Sequence, residues 1–307
     1  EIIGLVVLKL GVEALIISKV LAYIVCIVFM IAKNSEIKAS FKDKFNYSEF
    51  KPVIKYSFPL VPNTVCWWVV NSSDRYIILF FLGTAYNGIY SMSNKFPTIL
   101  TTITSIFYLA WQESAIKEYN SPSRDKFYSE IFKRYYVLLF TLCLCAIPAT
   151  RFVIELFVSE SYKHAWRFTG FLYLGAAFSA LSSFLGMGYQ ISKETHRSIL
   201  TTIFAAVLNI IINISCVKLM GLHAASLSTF LAYLFLMTIR IRYFNLQVNW
   251  LKFILLFASV IISMYLTFVI PNLLLCLILE IIAIIILIIL NQSLILPMLK
   301  KLTIKFK

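Results

Sequence analysis

Ten side chains within one apolar stretch have the types and the spacing to bind a polar solute: Asn63, Trp67, Asn71, Asp74, Arg75, Asn94, Lys95, Thr98, Tyr108 and Gln112. The chemistry they offer is recognition rather than bond-making. Amides and hydroxyls donate and accept hydrogen bonds, Arg and Lys hold anionic oxygens, and aromatic faces take other rings. All ten lie between Tyr56 and Gln112, which reads as two long apolar helices joined by a turn over Gly83 to Gly88. At helical spacing Pro59, Asn63, Trp67, Asn71 and Asp74 share an arc of about 120°. On the second helix Tyr90, Ser91, Asn94, Thr98, Thr101, Ser105, Tyr108 and Gln112 share about 100°, with Phe96, Ile99, Ile103, Ile106 and Ala110 opposite. In hydrocarbon that pattern turns one face to lipid and the other to packed protein or a wet cavity, so a polar lumen is expected.

The elements that must position these residues follow from composition. Of 307 residues 60% are hydrophobic and 14% charged, with mean hydropathy +0.85. Soluble domains carry about a quarter charged residues and 45–50% apolar ones. The chain is therefore read as an all-α integral membrane protein. Apolar spans fall near 12–32, 53–82, 86–112, 131–158, 166–190, 197–219, 223–243, 250–269 and 273–296. Each reaches the roughly 20 residues that a bilayer crossing needs. Cys26, Cys66, Cys143, Cys145, Cys216 and Cys276 all sit in apolar runs without metal or redox spacing, and no cofactor or metal is expected.

A net charge of +14 invites a nucleic-acid partner, but the placement of the charges argues against one. Most of the 28 Lys and Arg alternate onto one side: Lys33 to Lys55, Lys117 to Arg134, Lys193 and Arg197, Arg240 to Lys252, and Lys300 to Lys307. The opposite connections, near 83–87, 220–222 and 270–272, are short and almost uncharged. The positive-inside rule makes the basic side and the C-terminus cytoplasmic.

The chain opens inside an apolar run without Met, and a repeat accounts for that opening. Gly11 to Tyr23 matches Gly221 to Tyr233 at a constant offset, with Gly, Ala, Ser, Leu and Tyr recurring in step. Span 12–32 then ends one unit and span 223–243 ends a second, six-helix unit parallel to it. The chain is accordingly expected to be a C-terminal fragment. Residues 1–32 close an N-terminal lobe and 33–52 link the lobes. Residues 53–244 form the C-terminal lobe, and 245–307 carry two peripheral helices and a basic tail.

The segment Tyr56-Ser-Phe-Pro-Leu-Val-Pro-Asn63, the pair Trp67-Trp68 and Asn71-Ser-Ser-Asp74-Arg75-Tyr76 resemble the Wzx-type O-antigen and polysaccharide flippases. Phe81-Leu-Gly83, Asn87-Gly-Ile-Tyr90, Lys95-Phe-Pro97 and Phe107-Tyr-Leu-Ala-Trp111-Gln112 extend the resemblance, as do Leu208-Asn209 to Asn213 and Gly221-Leu-His-Ala224-Ala225. These flippases belong to the multidrug/oligosaccharidyl-lipid/polysaccharide exporter superfamily. The resemblance implies a MATE-like helical bundle of two six-helix lobes around a cavity, plus two peripheral helices. It further implies transport of undecaprenyl-diphosphate-linked oligosaccharide from the cytoplasmic to the periplasmic leaflet of the bacterial inner membrane. A coupling ion (H+ or Na+), membrane lipid and other polysaccharide assembly proteins are the partners that go with that role.

Of the ionisable residues inside the spans, Lys218 and Arg167 are expected to snorkel, and Arg151 is expected to pair with Glu155 four residues on. Lys19 and Glu280 are assigned no role in binding. Arg75 and Lys95 are expected to lend positive potential to the lumen, with Asp74 positioning one of them. Pro59, Pro62 and Pro97 are candidate flexing points, and Pro148 a static kink. A membrane glycosyltransferase would need a catalytic acid or base in a large outer loop, and the outer loops are short. An organic-cation antiporter of the same superfamily is the nearer alternative; its lumen would be acidic, whereas this one is expected to be basic.

Overall fold

A computed structural model describes residues 12–34 and 46–272, together with Leu275, Ile278, Ile281 and Ile285. Among these residues the chain runs through α1 (Val12–Lys33), α2 (Tyr47–Ser57), α3 (Leu60–Leu82), α4 (Thr84–Glu118) and α5 (Arg124–Phe157). A short 3₁₀ segment, Glu160–Phe168, leads into α6 (Thr169–Ile191), followed by α7 (Thr195–Met220), α8 (Leu222–Ile241) and α9 (Trp250–Val269). Most of the expected span 273–296, with Glu280, Cys276 and the tail lysines, lies outside the described residues, as do Lys38, Lys42 and Lys44.

Among the described residues six segments are long and apolar enough to cross a membrane: one within α1, then α5, the 3₁₀ segment with α6, α7, α8 and α9. The protein is an all-α, multi-pass integral membrane protein. α3 and α4 have the length, at 23 and 35 residues, but are less apolar because they carry the polar faces read from the sequence. The contacts divide the chain into two units, Glu1–Ile54 and Lys55–Lys307. In the first, α1 exposes nearly its whole surface. The second holds all the packing that concerns the site.

Within the second unit α6 is the most enclosed helix, and it packs against α8, α4 and α5. Gly170, Gly175, Ala176, Ala177, Ala180, Gly186 and Gly188 explain why: small side chains let neighbouring backbones approach. At Gly175 an added Cβ would stand 3.6 Å from the backbone nitrogen of Phe230 on α8. α7 packs between α3 and α8, and α9 lies along α5. α3 and α7 run parallel and in register. Thr195 to Tyr56, Thr202 to Asn63 and Asn213 to Asp74 are hydrogen-bonded pairs with the same separation of 139 residues.

The structure alters several expectations. The connection between α3 and α4 is Gly83 alone, and Thr84 to Gly88 are already helical. Gly83 (φ 92°, ψ −179°) and Gly221, between α7 and α8 (φ 58°, ψ −132°), occupy backbone regions that L side chains avoid. Span 53–82 is broken at Phe58–Pro59, so Pro59 caps α3 rather than kinking a continuous helix. Pro62 falls in the first turn of α3, where its missing N–H would have no intrahelical partner anyway. Pro97 remains a true interior proline of α4. Arg240, grouped by sequence with the basic connection, is instead buried in the bundle at 1% exposure.

Arg151 does pair with Glu155, at 2.8 Å. Its guanidinium also donates to the carbonyls of Thr267, Ile270 and Pro271 at the end of α9 and lies over the Trp166 ring. This residue therefore ties the peripheral helix to the bundle by satisfying its terminal carbonyls. Lys218 rests over Phe81 and Arg167 over Trp166, each near a helix end, as snorkelling cations do.

Candidate functional site

The period of α3 places Asn63, Trp67, Val70, Asp74 and Ile78 on the side that meets α7 and α8. Asp74 is 2% exposed, and three other helices supply its partners. Its Oδ2 accepts from the Tyr90 hydroxyl of α4 at 2.7 Å and from the Thr229 hydroxyl of α8 at 2.6 Å. Its Oδ1 accepts from the Asn213 amide of α7 at 2.8 Å. Arg75, one residue on and about 100° round the helix, is exposed, and Lys95 is exposed as well. Among the described residues neither makes an ion pair, so Asp74 does not position them; neutral donors hold it.

Further amides and hydroxyls pack around the carboxylate. Asn209, one helical turn before Asn213, donates to Ser228 and Thr229 and accepts from Ser73 at 2.9 Å. The Oδ1 of Asn213 is buried without a hydrogen-bond partner beside this cluster. The Asp74 carboxyl, an unpartnered amide oxygen and hydroxyl oxygens from α3 and α8 form a set of hard oxygen donors. Such a set can hold a proton or a small alkali cation. No cluster of three or more His, Cys, Asp or Glu with metal-binding arrangement occurs among the described residues.

The opposite charge lies further along α8. Thr229, Tyr233 and Arg240 recur at helical spacing on one face, with Thr229 and Arg240 roughly 16 Å apart along the axis. Tyr233 donates to Asn71 Oδ1 at 2.9 Å and stacks on Trp67 with ring centroids 5.4 Å apart. Asn71 in turn donates to the Trp67 carbonyl. Arg240 Nε donates to Thr201, Nη1 to the Ser182 carbonyl at 2.9 Å, and Nη2 to Thr202 at 2.9 Å and to the Ser198 carbonyl. All these acceptors are neutral. The guanidinium carbon lies 5.8 Å from the Trp67 ring centre.

Beside Arg240 is a cavity of about 340 Å³. Asn63, Trp67, Thr101, Thr104, Ser105, Tyr108, Tyr135, Ser179, Ser183, Gly186, Gln190, Ser198 and Arg240 line it, with Ala176 and Ala180. Thr101 and Ser105 are exposed on α4, so the cavity reaches the surface along that polar face. Its wall is thus hydroxyls, amides and rings with one cationic group.

The residues expected from sequence divide accordingly. Asn63, Trp67 and Tyr108 come together in the cavity wall; Asn63 accepts from Thr202, and the Tyr108 hydroxyl meets Met187 and Gln190. Asn71 and Asp74 belong to the adjoining network. Asn94 and Thr98 bond within α4, to the carbonyls of Tyr90 and Asn94, and Gln112 is half-buried away from the cavity. Arg75 and Lys95 lie outside both. Sequence reasoning did not single out Arg240, Thr202 or Thr229, which the structure brings to the cavity and the Asp74 network. Asn209 and Asn213, four apart in an apolar helix, were visible as a motif without an assigned role.

A family model for "polysaccharide biosynthesis protein" matches residues 2–167, over half of the chain. No curated protein matches the chain.

Proposed function

Because the chain belongs to the polysaccharide biosynthesis protein family, we propose that it forms part of a flippase for lipid-linked sugars. The cargo is undecaprenyl-diphosphate-linked oligosaccharide, an O-antigen or capsule repeat unit. It moves by alternating access from the cytoplasmic to the periplasmic leaflet of the bacterial inner membrane, with the basic connections on the cytoplasmic side. Helices α3 to α8 form one lobe, and α1, whose sequence matches the start of α8, closes a second. The observation that carries the reading is the cavity walled by hydroxyls, amides and aromatic rings inside an apolar bundle. Hydroxyls and amides suit a sugar, whose own surface is alternately hydroxyl and C–H.

Energy input enters at Asp74. A buried carboxylate held only by neutral donors, with a spare amide oxygen next to it, takes up a proton or a sodium ion. Four helices converge there, so occupancy at one point biases how all four pack. The alternative of an organic-cation antiporter draws on the same acid. The charge beside the cavity, however, is the Arg240 guanidinium, which repels such a cargo.

The reading is tested by expressing the full-length protein in a strain lacking its own flippase but retaining the remaining assembly machinery. Restored surface polysaccharide supports it. Unchanged accumulation of lipid-linked repeat units, with the protein present in the membrane, refutes it.

A further inference from the structure

We propose that a slot between α6, α8 and the C-terminal end of α9 binds an anionic phospholipid of the membrane, with the headgroup at Arg167 and one acyl chain inside. The proposal requires only that the chain crosses the membrane, and it goes beyond the flippase reading. The slot has a volume of about 280 Å³. Arg167, His223 and Phe268 line it at the ends of the 3₁₀ segment, α8 and α9. Met264, Ile261 and Ile147 line it at increasing depth. Met264 and Ile261 stand five and eight residues before Val269, the last of α9, and Ile147 stands ten before Phe157, the last of α5. At the helical rise these side chains lie roughly 8, 12 and 15 Å below the helix ends. The wall is therefore charged at its mouth and hydrocarbon underneath.

An anionic amphiphile has the same order of charge over hydrocarbon. Arg167 is exposed, and its guanidinium carbon lies 5.7 Å from the Trp166 ring centre. Among the described residues it makes no ion pair and no hydrogen bond. His223 sits half-buried beside it, against the Phe168 ring, and no Asp or Glu lines the slot. A cation at this level of a bilayer attracts anionic headgroups. A free anion would leave the apolar depth unfilled, and the wall there would forfeit the contacts that an acyl chain supplies. A neutral lipid would leave Arg167 unanswered. Tyr265 and Phe268 are exposed at the edge of the slot, so it opens sideways toward the membrane. The Trp166 and Phe268 rings meet there at 6.2 Å, as aromatic side chains gather at headgroup level. The volume falls just short of the roughly 300 Å³ at which ligand pockets begin, and suits one acyl chain rather than a whole lipid.

Two other occupants compete for the slot: the span expected at 273–296, and a second copy of this chain. The test is native mass spectrometry of the purified full-length protein, released from bilayers of equal dioleoyl phosphatidylglycerol and dioleoyl phosphatidylcholine. One phosphatidylglycerol should stay on each chain, favoured over phosphatidylcholine about fivefold, the effect of one cation near an anionic surface. A monomer that keeps no lipid assigns the slot to the chain's own span, and a lipid-free dimer assigns it to the second copy; either overturns the proposal. Equal retention of the two lipids overturns it as well. Displacement of the lipid by inorganic phosphate would reveal a bare anion site and overturn the lipid reading.

Three variants locate the lipid. Arg167→Gln should bring the preference for phosphatidylglycerol to within about twofold of none, because the charge at the mouth is gone. Ile261→Trp fills the slot from α9 and should remove retained lipid of either kind, with a lipid-free melting temperature no lower than the wild type's. Where that variant melts lower, Arg167→Gln decides alone, since its side chain is exposed and bonds no helix. Lys218→Gln removes another exposed cation, which rests over Phe81 away from the slot, and should leave the preference within about twofold of wild type. A wild-type preference in Arg167→Gln overturns the proposal. An equal loss in Lys218→Gln and Arg167→Gln also does, because it would mark general attraction to the membrane surface in place of a site.

Discussion

Asp74 on α3 and Thr229 on α8 are 155 residues apart in sequence and joined by a hydrogen bond of 2.6 Å. Through it the helix that carries Arg240 is fastened to the buried acid of the bundle. Under the proposed mechanism a proton or cation arriving at the carboxylate would compete with the Thr229 hydroxyl, which would link its arrival to the position of α8. Replacing Asp74 with Asn keeps the volume and removes the charge. Tyr90, Thr229 and Asn213 would then share a single neutral acceptor, at about 1.5–3 kcal/mol for each charge-assisted bond lost. Asp74→Asn should insert in the membrane and reduce polysaccharide export at least about tenfold, whereas Thr229→Val should do less, since it leaves the charge. Export is measured per unit of inserted protein; wild-type export from Asp74→Asn excludes the acid from the mechanism.

Gly186 has no room for a side chain while Arg240 keeps its place. Gly186→Ala should displace the guanidinium and lower stability by about 1–3 kcal/mol, the usual cost of overpacking. The melting temperature of the purified variant checks this. Pairing it with Arg240→Met should recover part of the loss, because the crowded atom is gone.

The two one-residue turns make a sharper stability test. Gly83→Ala and Gly221→Ala force a Cβ into backbone regions that cost about 1–3 kcal/mol each, although open space surrounds both positions. Gly88→Ala, inside α4 with a Tyr162 ring carbon at 3.5 Å and its hydroxyl at 3.6 Å, both ordinary contacts, should be nearly silent or slightly stabilising. Equal melting temperatures for all three would contradict the backbone argument.

Much of this arrangement was legible in the sequence because the helical period is strict. Asn63, Trp67, Asn71 and Asp74 were placed on one face, and three of them do point into the packed interior. The polar face of α4 was legible for the same reason. Its hydroxyls at Thr98, Thr101, Thr102 and Ser105 bond back to their own helix, which lets them sit exposed without a partner elsewhere. The central cation was not legible. Arg240 and Arg242 stand two apart at the end of an apolar helix and point to nearly opposite sides, and composition cannot say which side meets protein. The gap at Gly186 that admits Arg240 lies more than fifty residues upstream, on another helix. Arg75 and Lys95 stand out in the sequence because charge within an apolar run implies a lumen role; both are exposed on α3 and α4, apart from the Asp74 network and the cavity at Arg240.

Orientation is checked with single cysteines in a cysteine-free background. Ser121, between α4 and α5, should be protected from an impermeant maleimide on intact spheroplasts, as should Asn46 and Lys301. Ala85, Ser161 and Gly221 should be labelled. Labelling at 121 without permeabilisation would reverse the assigned orientation.

The central claim is tested most directly by reconstitution. Purified full-length protein is placed in proteoliposomes whose outer leaflet carries undecaprenyl-diphosphate-linked oligosaccharide, and access of the sugar to an enclosed glycosidase is timed under an imposed proton or sodium gradient. The account predicts gradient-dependent transfer across the bilayer by the wild-type protein, with Asp74→Asn no faster than empty liposomes. Transfer at the empty-liposome rate by the wild type under either gradient, with the protein verified as inserted and folded, would contradict it.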